Sequence, residues 1–131
     1  MATIERFEDL EIWKDARIIS FKIHEISMET ELKNDFGLRN QIKNSSGSIM
    51  DNIAEGFERG GNLEFRQFLS VAKGSAGETR SQLYRLLDFK YIDEKRFESL
   101  KSDLENLSGK IQNFIKYLNK NDFKGDKFKK D

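Results

Sequence analysis

Proline and cysteine are both absent from this chain, and histidine occurs once, as His24. Without cysteine there is no disulfide and no thiolate chemistry. Without proline nothing imposes a hard break on a helix, which suits a protein built of long helices. The scarcity of histidine excludes more. A di-iron bundle needs carboxylates and Glu-x-x-His pairs on facing helices, but the residue three before His24 is Phe21. A serine nucleophile would have only His24 for a base, and no nucleophile-elbow motif is present. There is no Walker loop and no dinucleotide fingerprint; Gly74-x-x-Gly77 falls inside a helical pattern, where it does not cradle phosphate. The expectation is a protein with no catalytic residue, no cofactor, no metal and no small-molecule substrate.

No apolar run approaches the roughly 18 residues of a membrane span. The opening Met-Ala-Thr-Ile-Glu-Arg lacks the basic-then-apolar layout of a signal peptide, so a cytoplasmic protein without membrane contact is expected. Charge of one sign is missing too: 23 Lys and Arg balance 23 Asp and Glu. A generally basic nucleic-acid binder is therefore not indicated, which leaves only a local patch for such a role. At 131 residues a single domain is expected, able to bury roughly two-thirds of its unfolded surface.

What is present is helical periodicity. Ile12, Ala16, Ile19, Ile23 and Ile26 step by four and three along a first helix that Asp9 can cap. Trp13, Ile18 and Phe21 lie off this seam. They widen the core face or pack on another subunit. After a polar connection from Ser27 to Asp35, Asn34 or Asp35 can cap a second helix running from about Phe36 to Arg59, with Leu38, Ile42, Ser45 or Ser46, Ile49, Ile53 and Phe57 on one face. Gly60-Gly61 breaks the pattern. Asn62 is the expected cap of a third helix, from Leu63 to about Lys90, carrying Phe65, Phe68, Leu69, Ala72, Ala76, Thr79, Leu83 and Leu86. Its interior Gly74 and Gly77 mark a weak point or bend. Asp93 caps the fourth helix, and Ile92 can staple onto Phe97. Phe97, Leu100, Leu104, Leu107, Ile111, Phe114 and Leu118 then form the clearest heptad of the chain.

Four amphipathic helices with short connections predict an all-α, antiparallel up-down-up-down four-helix bundle over residues 1–120. Residues 121–131 are charged and predict a flexible C-terminal tail. Folding about Gly60-Gly61 sets Ser45-Ser46-Gly47-Ser48 opposite Lys73-Gly74-Ser75-Ala76. Two clusters of small residues at one level predict a close approach of the two backbones there.

Several runs also resemble a known family. Phe7-x-x-Leu10-x-Ile12-Trp13, then Ser48-Ile49-x-x-Asn52-Ile53-Ala54-Glu55-Gly56-x-x-Arg59, then Phe65-x-x-Phe68-Leu69-x-x-Ala72-x-Gly74-Ser75-x-x-Glu78 and Gln82-Leu83 look like the bacterial four-helix-bundle proteins whose genes lie within intervening sequences of 23S ribosomal RNA genes. The resemblance spans residues 7–118. It implies an up-down four-helix bundle that assembles with itself as a homopentamer. A related branch, the accessory variability determinant protein of diversity-generating retroelements, is basic, binds nucleic acid and contacts a reverse transcriptase. The zero net charge here departs from that branch, as do Asp51, Ala76 and Thr79 from the family pattern.

Two sets of candidate residues follow. Asn52, Glu55, Arg59, Gly74, Ser75 and Glu78 mark a polar seam or subunit interface. Polar groups on a bundle seam must find partners, because a buried unsatisfied amide costs about 1–3 kcal/mol. The cations Arg66, Arg80, Arg85, Lys127, Lys129 and Lys130 are the candidate nucleic-acid contacts. The arginines are interspersed with Glu64, Glu78 and Asp88, the pattern of a solvated mixed-charge face. The tail lysines are interleaved with Phe123 and Phe128, which suits docking on RNA by charge and stacking. The expected function is that of a non-enzymatic oligomeric assembly or adaptor protein. The alternative is a structured-RNA-binding module that partners an RNA or a nucleic-acid enzyme.

Overall fold

The computed structural model describes residues 2–121 and 128–130. Four α-helices make up most of the described residues: α1 (Glu11–Glu29), α2 (Phe36–Glu58), α3 (Asn62–Asp88) and α4 (Glu94–Lys120). A short 3-10 turn, Phe7–Asp9, leads into α1, and another, Glu31–Asn34, joins α1 to α2. Outside the helices, β1 (Ala2–Ile4) pairs antiparallel with β2 (Phe128–Lys130) in a three-residue ribbon. Residues 122–127 and 131 of the expected tail lie outside the described residues.

The helices form because their apolar residues fall on one stripe that another helix can cover. The α1 seam of Ile12, Ala16, Ile19, Ile23 and Ile26 is buried throughout, as are Leu38, Ile42, Ile49, Ile53 and Phe57 of α2. On α3 the buried set includes Phe65, Leu69, Ala72, Ala76, Thr79, Leu83 and Leu86, and on α4 it includes Phe97, Leu100, Leu104, Leu107, Ile111 and Leu118. Phe68 and Phe114 are half-buried. α3 runs unbroken through Gly74 and Gly77.

The helix ends show what the local residues can and cannot do. Asp35 caps α2 by accepting the Leu38 N–H at 3.3 Å, and Asp93 caps α4 by accepting the Arg96 N–H at 2.8 Å. Ile92 and Phe97, the expected staple, are both buried. Asp9 does not cap α1. It ends the 3-10 turn, and Leu10 takes the cap position without any side-chain bond. Asn62 is not a cap either. Gly61 holds that place, and Asn62 begins the helix with its amide turned to the far end of α4. The α3 terminus closes with two bonds, Lys90 N–H to Leu87 C=O and Tyr91 N–H to Leu86 C=O. This is a Schellman motif, with Lys90 at φ 63° in the left-handed position that glycine usually fills.

The hinge between α2 and α3 uses its two glycines differently. Gly60 takes φ 83°, which an L side chain resists, and donates to Phe57 C=O at 3.2 Å. Gly61 is extended. A close backbone approach lies near this hinge. A Cβ on Gly56 would lie 2.6 Å from the Phe68 Cβ, whereas Gly47 and Gly74 have nothing within 4 Å of that position. At the level of the serine clusters Ser48 and Ser75 face each other across the seam, their hydroxyl oxygens 3.0 Å apart.

Candidate functional site

On the inner side of α2, Ser45, Ser48 and Asn52 follow one another at helical spacing; on α3 the matching residues are Ser75, Thr79 and Gln82. Their side chains link in a ladder. Ser45 Oγ donates to Gln82 Oε1 at 2.6 Å, and Thr79 Oγ1 donates to Ser45 Oγ at 2.8 Å or to its own Ser75 C=O at 2.9 Å, having one proton to give. Ser75 Oγ donates to Ser48 Oγ at 3.0 Å. The Asn52 amide donates to the Ser48 hydroxyl and carbonyl, both at 2.8 Å. Ser45, Thr79 and Gln82 are buried, Ser75 lies at the edge of burial, and Ser48 and Asn52 are half-buried, so the ladder runs from the core to the surface. Among the described residues every buried side-chain nitrogen and oxygen has a partner.

The six seam candidates therefore separate. Asn52 and Ser75 meet at Ser48 within the ladder. Glu78 stands exposed at the rim, 3.5 Å from the Gln82 amide. Glu55 and Arg59 belong to the hinge: they pair at 3.0 Å, and Arg59 also reaches Glu64 at 3.8 Å while lying over the Phe68 ring. Gly74 faces outward into open space. Ser45, Thr79 and Gln82 carry the buried half of the ladder and were not among the candidates. Their signal was a hydroxyl or amide in a core register position.

The cations scatter over the molecule. Arg66 is held by Asn62 at 2.8 Å and by Asn119, so it ties α3 to α4. Asn62 itself donates to the carbonyls of Leu118 at 3.0 Å and Asn121 at 2.8 Å, closing the exposed end of α4. Arg85 donates to the Gln41 amide oxygen at 3.0 Å, and Arg80 is half-buried on α3. Lys127 lies outside the described residues, while Lys129 and Lys130 fall in β2 opposite Thr3 and Ala2.

Across the molecule, α1 and α4 are joined by charge. Lys110 bonds Glu11 at 2.6 Å and Asp15 at 2.8 Å, Lys22 bonds Asp103 at 2.9 Å, and Arg96 bonds Glu29 at 3.2 Å. The Asp15 and Glu11 carboxylates push the Lys110 ammonium up to about 12. Beside this clasp lies a cleft of about 310 Å³ lined chiefly by Leu10, Ile12, Phe114 and Tyr117. At the other end of the bundle the Tyr91 hydroxyl donates to Asp35 at 2.9 Å, and this bond to the carboxylate raises the phenol above its ordinary value.

Chemically, the ladder is a closed set. Its hydroxyls meet only amides, carbonyls and each other, and His24 sits exposed on α1. Among the described residues no three His, Cys, Asp or Glu side chains converge as metal ligands do. No described helix is long and apolar enough to cross a membrane.

A family model described as "23S rRNA-intervening sequence protein" matches residues 8–113, from the 3-10 turn through most of α4. The chain belongs to this family. Among solved structures, this intervening-sequence family member is similar to a protein of unknown function from the S23 ribosomal protein family of Bacteroides thetaiotaomicron VPI-5482, at 24% identity and a TM-score of 0.73. The similarity covers 80% of this chain and 98% of the Bacteroides one, and it concerns the fold. No curated protein matches the chain. The matched region contains the whole Ser–Thr–Gln ladder, and neither the family's description nor the neighbour's indicates catalysis.

Proposed function

We propose that this chain is a non-enzymatic, self-assembling helical-bundle protein that acts as an assembly or adaptor. The observation that carries this reading is the outer flank of α1. Ile18, Phe21 and Met28 are 54%, 61% and 61% exposed on a helix whose inner seam is already fully covered. Large apolar side chains grouped on one helix flank mark an interaction surface. An antiparallel up-down-up-down arrangement is supported by the ladder and the clasp: partners of rising number on one helix fall in number on the other, as in Glu11–Lys110, Lys22–Asp103 and Glu29–Arg96. The homopentamer follows from the family resemblance. Light scattering at micromolar concentration tests it, with five chain masses expected; a single chain mass rejects self-assembly.

A second reading, a structured-RNA-binding module, draws on the family's description, which names an rRNA intervening sequence. In that reading Arg66, Arg80 and Arg85, with the tail lysines, supply phosphate contacts multiplied by the ring. It requires binding that weakens steeply with salt. An electrophoretic shift at low salt with no retarded structured RNA rejects it.

A further inference from the structure

Three residues at four-residue steps run down the outer flank of α1: Arg17, Phe21 and Glu25. Three more run up the outer flank of α2 at the same steps: Asp51, Gly47 and Lys43. Each triplet spans two four-residue steps, about 12 Å of helix. The first reads cation, large apolar ring, anion. The second, taken in reverse chain order, reads anion, gap, cation. Nothing lies within 4 Å of where a Gly47 Cβ would stand, and Phe21 is among the most exposed large apolar side chains of the described residues. Arg17 rests over the Trp13 ring at 5.7 Å. Among the described residues no ion pair engages Arg17, Glu25, Lys43 or Asp51 within the chain.

We infer that the α1 flank of one copy docks antiparallel on the α2 flank of a second copy, with Phe21 over Gly47, Arg17 against Asp51 and Glu25 against Lys43. This rests on the self-assembly reading and specifies its surfaces. The occupant is a second copy because both halves of the match, in charge and in shape, are carried by this one chain. The two flanks differ, so the contact is heterologous: each copy offers its α1 flank to one neighbour and its α2 flank to the other. Such a contact either closes a ring or continues as a filament. Lys14 extends the cationic end of one stripe, and Glu58 extends the acidic end of the other.

The absence of cysteine makes the register directly readable. Phe21→Cys and Gly47→Cys are made as separate proteins, one bearing a size tag, and oxidised alone and mixed. The expected result is a covalent dimer in the mixture and none from either variant alone. A dimer from Phe21→Cys alone, which an isologous contact would give, overturns the inference. So does a mixture that stays uncrosslinked while light scattering shows it assembled, in which case self-assembly stands and the surface is wrong. A single chain mass for the unmodified protein overturns both.

Charge exchange supplies a second measurement that leaves Phe21 in place. Arg17→Glu is expected to lower the assembled mass toward one chain at a concentration where the unmodified protein is fully assembled. Adding Asp51→Arg in the same chain is expected to restore it. Failure of the second change to rescue the first counts against the proposed register.

Discussion

Between α2 and α3 the contact is made by short side chains: serines, a threonine and, near the hinge, a missing Cβ at Gly56. Between α1 and α4 it is made by long charged side chains reaching over a cleft, with Lys110, Lys22 and Arg96 as the bridges. The first seam is largely buried, and each of its groups is held at a fixed distance by the next. The second is open to water, where an ion pair contributes between nothing and about 1 kcal/mol and is screened by salt. Substitutions of similar size should therefore have very different effects on the two sides of one bundle.

The largest effect is expected at Gly56. Gly56→Val forces a branched side chain onto the Phe68 Cβ, which already lies 2.6 Å from the Cβ position, and overpacking of this kind costs about 1–3 kcal/mol or more. Thermal unfolding should show a clear loss of Tm; an unchanged Tm would mean that the hinge end of the seam is loose. Next comes Thr79→Val, which keeps the shape and removes the hydroxyl between Ser45 and the Ser75 carbonyl. A loss of about 1–3 kcal/mol is expected from urea titration, because a buried donor or acceptor is left alone. A loss near zero would show that Ser45 and Gln82 satisfy each other without it.

The α4 counterpart of Gly56 is Gly109, which has open space around its Cβ position. Gly109→Ala is expected to stabilise by about 1 kcal/mol through helix propensity, the opposite sign from Gly56. The smallest effect is expected from Lys110→Met, below about 1 kcal/mol in moderate salt and shrinking as salt is raised. Its pH dependence has a definite sign. The folded state holds the Lys110 proton more tightly, up to about 12, than a free lysine near 10.4 does. The contribution is thus complete below about pH 10.4 and fades as pH rises through about 12. Urea titrations of both proteins at rising alkaline pH should converge in that window.

The strong periodicities were legible in the amino-acid sequence. The α1 and α4 seams, the break at Gly60-Gly61 and the Asp35 and Asp93 caps all depend on neighbours within a turn or two. Most of what escaped depends on residues far away along the chain. Asn62 has the right chemistry for a helix cap, but the open carbonyls of Leu118 and Asn121 claim its amide, and nothing near position 62 announces them. Asp9 lost its cap role because the 3-10 turn placed Leu10 there instead. Gly47, Gly56 and Gly74 look alike in sequence, and only the neighbouring helix decides which of them has no room for a methyl group. The extra apolar flank of α1 was visible as such. Its division into a Trp13 half-covered by Phe7 and Arg17 and an exposed Ile18–Phe21 patch was not. Within the ladder, Asn52 and Ser75 stand out in the sequence by their polarity, whereas Ser45 and Thr79 read as small core residues.

Asp35 has a consequence for motion. One of its oxygens holds the first turn of α2 and the other holds the Tyr91 hydroxyl beyond the end of α3. Two loops separated by more than fifty residues thus share a single carboxylate as their latch. Amide protons at the start of α2 and around residue 91 should therefore trade with deuterium as one group. Asp35→Ala should release both loops together and leave the glycine hinge at the opposite end undisturbed.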